Sequence, residues 1–240
     1  MPVLVLAVAV CAALFAAVGH GGASAYIALM ALAGLGPETI RPTALMLNVL
    51  AAGIAAFQFV RAQQFEKRLF VLLASAGVPS AFLAAKIDLP RHMFEPLVAA
   101  ALLAAAMRYL IWPNLDSYRE VRRPPVALVL GAGGSLGALA GLTGIGGGVY
   151  LSPLLIFSGW TRPKQAAGVA AAFIVANSVA GLISRPDLIG DRPDFFALMA
   201  GGAIVGAVIG TSLSVSGFSQ TLMVRVLGVV LFMAAGALLI

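Results

Sequence analysis

Residues 126–159 read VALVLGAGGSLGALAGLTGIGGGVYLSPLLIFSG, an apolar run that is broken only by glycines around positions 144–148. In this run the apolar residues are continuous, whereas in a membrane β-barrel strand they alternate with polar ones. Backbone groups in lipid must form their hydrogen bonds within the segment, so a run of this kind predicts membrane helices. The stretch therefore predicts an all-α, polytopic membrane fold.

The composition of the whole chain supports the same fold class. Of its 240 residues, 61% are hydrophobic and 10% are charged, whereas soluble domains carry about 25% charged residues. This excludes a soluble enzyme, and it also excludes a disordered chain. The sequence contains neither a phosphate-binding loop of the GxxxxGK[ST] type nor an HExxH motif. We therefore expect no enzyme activity, catalytic residue, metal site or cofactor.

Ten apolar stretches follow one another along the chain, and most of the prolines lie at or beside their ends. Two neighbouring pairs are separated only by glycines. A single helix over residues 3–36 would be about 51 Å long, too long for a hydrocarbon core of about 30 Å. We therefore predict two broken or re-entrant hairpins, turning at Gly19–Gly22 and at Gly144–Gly148. The stretches are 3–18, 23–36, 42–60, 68–87, 93–111, 126–143, 147–159, 165–183, 194–214 and 219–239.

The two halves of the chain repeat each other at an offset of about 125 residues. Glycines coincide at this offset: Gly19, Gly21, Gly22 and Gly34 align with Gly144, Gly146, Gly147 and Gly159. The predicted units are a first transmembrane repeat over 1–113, a cytoplasmic linker over 114–125 and a second repeat over 126–240. About five helical segments per repeat give an odd number of crossings, which predicts inverted repeats. Eight spans in two parallel groups of four remain the alternative.

Basic residues cluster in three connections and predict the membrane orientation, because short cytoplasmic loops are enriched in Lys and Arg. For this reason the net charge of +6 indicates topology, and we expect no nucleic-acid partner. We predict that the connection from Arg185 to Asp194, which also holds acidic residues, is external. The basic connections contain Arg61, Lys67 and Arg68, then Arg119, Arg122 and Arg123, then Arg162 and Lys164.

The glycine turns are the candidate substrate site. A helix that begins inside the membrane has unpaired N–H groups and a positive dipole end, and glycines let an anion approach the backbone. Two such ends form an anion site without any buried Lys or Arg. The candidate substrate-binding residues are Gly19, His20, Gly21, Gly22, Ser24, Thr43, Asn48, Thr143, Gly144, Gly146, Gly147, Gly148, Tyr150 and Asn177.

Three polar residues among these candidates have two possible roles each. His20 could contact an anion or carry a proton, or it could be a neutral imidazole bonded to a carbonyl at the turn. Asn48 and Asn177 could bind the substrate or a sodium ion, or they could bridge helices. The two asparagines are one helical turn out of register between the repeats, so we expect the halves to contribute unequally.

Two motifs carry a resemblance to a known family. Residues 141–155, GLTGIGGGVYLSPLL, followed by Gly159, resemble the signature of the TauE/SafE sulfite exporter family. Residues 19–24, GHGGAS, and 41–48, RPTALMLN, resemble a subgroup of it. The first half departs from the pattern, because Ala23 stands where the third glycine of the triplet would lie.

The resemblance implies a multi-pass inner-membrane protein that works as a secondary transporter, usually an exporter. It implies small sulfur-containing or organic anions as substrates, such as sulfite, sulfonates or sulfoacetate. The expected partners are this anion, the lipid bilayer and a coupling ion, either a proton or sodium. The sequence leaves both a monomer and a homodimer open. A passive channel for a small solute or anion is the alternative function.

Overall fold

The structure is a computed structural model that describes residues 2–87, 89–111, 121–186 and 193–215, together with 225, 228–229, 231–233 and 235–236. All regular structure in these residues is helical, which confirms the all-α prediction. The helices match the first nine predicted stretches, and the tenth lies largely outside the described residues. They are α1 (Pro2–Ala17), α2 (Ala23–Leu32), α3 (Pro37–Arg61), α4 (Lys67–Ala85), α5 (Arg91–Ile111), α6 (Val126–Thr143), α7 (Gly148–Phe157), α8 (Pro163–Ser184) and α9 (Pro193–Val215).

Six of the described helices, α3, α4, α5, α6, α8 and α9, are long and apolar enough to cross a membrane. The helices α1, α2 and α7 are apolar but shorter. Large apolar side chains such as Phe57, Leu83 and Ile183 are exposed on the outer surface, where lipid would cover them. The chain is therefore a multi-pass membrane protein.

Helix α3 begins earlier than the sequence predicts. The predicted stretch starts at residue 42, but the helix starts at Pro37 and continues through Pro42. Pro37 occupies the first helical position, where its missing N–H would have had no partner. The five additional residues at the start of α3 include Arg41, which therefore lies on a membrane helix and not in a loop.

The chain turns at both glycine-rich breaks, and the two turns share positive φ at two pairs of equivalent glycines but differ at Gly146, whose counterpart in the first turn has no positive φ. Gly22 precedes α2 with φ of 89° and Gly147 precedes α7 with φ of 77°. Positive φ also occurs at Gly19 and at its counterpart Gly144. L-residues with a side chain rarely adopt this conformation, which explains why glycine is needed at each of these positions.

The main helix pairs each join a helix of the first half to a helix of the second half. Helix α1 packs along α9, and α6, its counterpart in the second half, packs along α4. Helices α3 and α8 pack against each other, α2 lies on α3, and α7 lies on α8. Helices α8 and α3 are the most buried of the six long ones. The two short helices therefore lie against the most buried pair.

Glycines from the second half allow both long pairs to approach closely. A Cβ atom on Gly133, Gly137 or Gly141 of α6 would overlap backbone carbonyl groups of α4. A Cβ atom on Gly206 or Gly210 of α9 would overlap carbonyl groups of α1. Such close approach through small residues is typical of helix association in lipid.

Candidate functional site

The two glycine turns meet at one place, between α3 and α8. A Cβ atom on Gly21 of the first turn would overlap the side chain of Asn48, and it would lie 3.2 Å from Ile174. A Cβ atom on Gly146 of the second turn would meet the same two side chains, at 2.8 and 2.9 Å. The fold thus brings together predicted site residues from both halves around Asn48.

Asn48 links the two turns by hydrogen bonds. Its Oδ1 accepts a bond of 3.1 Å from the backbone N–H of Ala23, the first residue of α2. Its Nδ2 donates to the carbonyl of Ile145 in the second turn at 3.2 Å and to Ser178 Oγ of α8 at 3.5 Å. The side chain is fully buried. Asn48 therefore bridges the two turns and α8, and binding of a substrate by this side chain stays a prediction.

Helices α2 and α7 both begin beside Asn48, and neither is capped by the side chain of its own N-cap residue. Their N-cap residues are Gly22 and Gly147, which have no side chain that could accept a bond from the first turn. In α2, Asn48 Oδ1 accepts the bond from the first N–H. The first N–H groups of a helix carry the positive end of its dipole. Two positive helix ends therefore lie close to the region where the turns meet.

His20 lies in the first turn and contacts helices from both halves. Its Nε2 is 3.1 Å from Ser152 Oγ of α7 and 3.4 Å from the hydroxyl of Tyr109 of α5. The Tyr109 hydroxyl also donates to the carbonyl of Val149 at 3.1 Å. His20 is fully buried, and its Nδ1 has no hydrogen-bond partner among the described residues. Sequence reasoning missed Ser152 and Tyr109, although Ser152 lies within the quoted motif.

Arg41, which was not among the predicted site residues, brings a buried positive charge close to the second turn. It donates to the carbonyl oxygens of Gly141 at 3.0 Å and of Ala85 and Ile87 at 3.5 Å. A Cβ atom on Gly144 would lie 3.7 Å from Arg41. Sequence reasoning missed Arg41 because it lies only one turn into α3, where an arginine is normally read as marking the end of a membrane helix.

Thr143 holds the second turn together. Its hydroxyl donates to the carbonyl of Leu139 at 2.7 Å and accepts from the N–H of Ile145 at 3.3 Å. Thr43 is buried on α3. Gly19 packs against the backbone of Ala167 on α8, and Gly148 packs against Ile174. These candidates therefore shape the turns.

Three further candidates carry buried polar atoms without a hydrogen-bond partner among the described residues. They are the Ser24 hydroxyl, the Tyr150 hydroxyl and both side-chain atoms of Asn177. An unpaired buried polar group costs about 1–3 kcal/mol. Groups of this kind are expected where a polar ligand binds, although no contact joins these three to one another.

The polar groups around the turns are mainly donors or neutral groups. Among the described residues, no group of three or more His, Cys, Asp or Glu side chains comes together as a metal site would require. The positive ends of α2 and α7 and the nearby charge of Arg41 favour an anion over a cation. The chemistry of the region therefore suits a small anion.

Comparisons with known proteins cover almost the whole chain. The family model described as "Sulfite exporter TauE/SafE" matches residues 4–238. A protein of Sinorhizobium fredii (strain NBRC 101917 / NGR234), "Probable membrane transporter protein y4hK", is 34% identical over 241 residues. That match covers 97% of this chain and 95% of the relative. No solved structure matches the chain.

Proposed function

Because the chain belongs to the TauE/SafE sulfite exporter family and is thus a membrane transporter, we propose that it exports small sulfur-containing or organic anions. Sulfite, sulfonates and sulfoacetate are the substrate class. We place the substrate where the two glycine turns meet. The observation that carries the proposal is that α2 and α7, whose N-cap residues are both glycine, begin beside Asn48.

Charge supports an anion in preference to a cation at this place. The two helix ends supply partial positive charge, and each is suited to bind an anion through backbone N–H groups. Arg41 adds a full positive charge next to the second turn. A carboxylate or sulfonate would also be able to accept bonds from the unpaired donors of Ser24 and Asn177.

We further propose that transport proceeds by alternating access between two inverted repeats. The helix packing supports this arrangement, because the pair of α1 with α9 and the pair of α6 with α4 join equivalent helices of the two halves. Asn48 bonds to the first turn through Oδ1 and to the second turn through Nδ2. If either hairpin moves relative to α3, one of these bonds must break, which gives the carrier two distinguishable states.

Counterflow in proteoliposomes tests the proposal. Vesicles are loaded with unlabelled sulfite, and uptake of labelled sulfite is followed after dilution. A carrier gives transient accumulation that saturates with substrate, whereas a passive channel only equilibrates the label. Protein-free vesicles are the control, and parallel assays with imposed proton or sodium gradients identify the coupling ion. Equilibration without overshoot for sulfite, taurine and sulfoacetate alike would contradict a carrier of this class.

A further inference from the structure

A cleft of about 220 Å³ lies away from the glycine turns, where the three basic connections come together. It is bounded by the start of α4, by the segment 121–124 that precedes α6, and by the connection from α7 to α8. Its polar lining includes Arg68, Arg122, Arg123, Glu66 and Gln165, and we call it the basic cleft. By the enrichment of basic residues in cytoplasmic loops, this face is cytoplasmic.

Hydrogen bonds hold the walls of the basic cleft in place. The backbone N–H of Arg122 donates to the carbonyl of Gly159 at 2.8 Å, which ties the segment before α6 to the connection after α7. Where the same connection enters α8, Thr161 Oγ1 donates to Gln165 Oε1 at 3.0 Å. This bond uses the acceptor of Gln165, so its amide nitrogen remains the group that can donate to a ligand.

The basic cleft has an excess of positive charge. Three guanidinium groups line it, against the single carboxylate of Glu66 among its lining residues. Guanidinium groups bind phosphate oxygens through pairs of parallel hydrogen bonds, which makes arginine the preferred residue for phosphate recognition. The charge pattern therefore fits a phosphate-bearing anion.

The volume of the basic cleft and its apolar wall restrict further which ligands can bind there. Pockets for drug-sized ligands usually measure about 300 Å³ or more, so the cleft suits a headgroup or a small phosphate better than a nucleotide. Trp160, Leu69 and Leu72 form its apolar side. Trp is enriched at the membrane interface, and basic pockets between membrane helices on the cytoplasmic side bind anionic lipid headgroups.

We propose that the basic cleft is a second anion site, separate from the transport site, that binds a phosphate ester through Arg68, Arg122 and Arg123. The ligand is either the glycerophosphate headgroup of an anionic lipid or a soluble glycerol phosphate of the same chemistry. A bound headgroup would join α4, the segment before α6 and the α7–α8 connection. The site thus ties the two repeats together at one membrane face.

Thermal unfolding of the detergent-solubilised full chain tests the proposal. Micelles are doped with dioleoylphosphatidylglycerol, with dioleoylphosphatidylcholine as the uncharged reference, and glycerol 3-phosphate is titrated separately. We expect a saturable rise in melting temperature with one of the two anionic probes. In the double variant Arg122→Gln/Arg123→Gln, the apparent Kd should increase at least tenfold.

A second double variant, Arg61→Gln/Arg162→Gln, is the matched control. It removes the same charge from exposed positions on the other two basic connections, and neither residue lines the basic cleft. Its Kd should stay within about twofold of that of the unmodified chain. Stabilisation by sulfite should be equal in both variants, which separates this site from the transport site.

The two probes identify the source of the ligand. A response to phosphatidylglycerol alone assigns a lipid headgroup, and a response to glycerol 3-phosphate assigns a soluble ligand. Equal losses in the two double variants would show general surface attraction and overturn the proposal. A saturable response to neither probe would overturn it as well.

Discussion

The first and second halves of the chain build equivalent turns from different side chains. Where the first half has His20, Arg41 and Asn48, the second half has Ile145, Ala167 and Ile174 when the turns and the starts of α3 and α8 are aligned. A Cβ atom on Gly19 would overlap the backbone of Ala167, and one on Gly144 would lie 3.7 Å from Arg41, the equivalent residue. The backbone frame is thus shared, while these three polar groups come from the first half alone.

The comparison teaches that two halves can share a backbone arrangement and still differ in the side chains that carry the polar groups. Two equivalent turns are enough to create two helix ends that meet. One Asn48 side chain is enough to bond to both turns, and a second asparagine at position 174 would compete for the same space, since both residues contact Gly21 and Gly146. A polar residue in one half and an apolar residue at the equivalent position of the other therefore allow both side chains to fit between the turns.

The largest expected effect concerns the orientation of the two halves. Ala33 and Ser158 are exposed residues that follow α2 and α7 at equivalent positions. With Cys11→Ser as background, Ala33→Cys should react with an impermeant thiol reagent only from outside and Ser158→Cys only from inside. Labelling of both from the same side would break the inverted arrangement and favour the parallel one.

The next effect is expected at Asn48. In Asn48→Ile, the counterpart residue replaces the bridge and leaves the Ala23 N–H and the Ile145 carbonyl without this partner. Each unpaired buried group costs about 1–3 kcal/mol, so we expect a melting temperature lower by several degrees and loss of counterflow.

Asn177→Leu is the matched control for Asn48→Ile. Both Asn177 side-chain atoms lack hydrogen-bond partners among the described residues, so this change should leave stability unchanged or raise it. If Asn177 binds substrate, stabilisation by sulfite should fall. Equal destabilisation by the two variants would contradict the contrast between a bridging and an unpaired asparagine.

Close helix packing predicts a clear difference between two glycines of α6. Gly137→Ala should destabilise the fold by about 1–3 kcal/mol, because the added methyl overlaps the backbone of Gly77 on α4. Gly131→Ala adds its methyl where nothing lies within 4 Å and should be neutral or stabilising by up to about 1 kcal/mol. Thermal unfolding of the two variants side by side measures the difference.

Removal of the buried charge should weaken anion binding and also lower stability, because three carbonyl groups lose the donor that Arg41 supplies. Arg41→Met keeps an unbranched side chain but loses the positive charge, and we expect about a tenfold weaker affinity for sulfite, about 1.4 kcal/mol. Arg41→Lys should recover part of the loss. Affinities measured by isothermal titration check this. An Arg41→Met protein that binds sulfite as tightly as the unmodified chain would remove Arg41 from the site.

The smallest effect is expected from His20. His20 is fully buried, and burial disfavours a charged imidazole, so the affinity for a strong-acid sulfonate should change by less than about twofold on mild acidification. In His20→Gln the pH profile should be equally flat, and a profile that rises on acidification only in the unmodified chain would contradict a neutral His20. A sulfonate keeps its own charge constant over the pH range, so any change of affinity with pH arises from the protein. Identical profiles would assign to His20 only its contacts with Ser152 and Tyr109.

The order of the helices could be predicted from the sequence, because continuous apolar runs and glycine breaks are local signals. The matching positive φ values at Gly22 and Gly147 follow from the same signals. The role of Asn48 could not be predicted, since it depends on the register of α3 against two turns that are distant in sequence. Arg41 was missed because a helix that continues through Pro42 contradicts the usual reading of proline as a boundary.

The close pairing of α1 with α9 has a consequence for biosynthesis. Residues 2–17 leave the ribosome long before residues 193–215, yet carbonyl groups of Val5, Ala9 and Ala13 lie against glycines of α9. Contacts between such distant segments form late, since the intervening chain must first be made and inserted. Helix α1 therefore waits in the bilayer without its main partner through most of translation. A chain interrupted before residue 193 would leave α1 without that partner, as a substrate for membrane quality control.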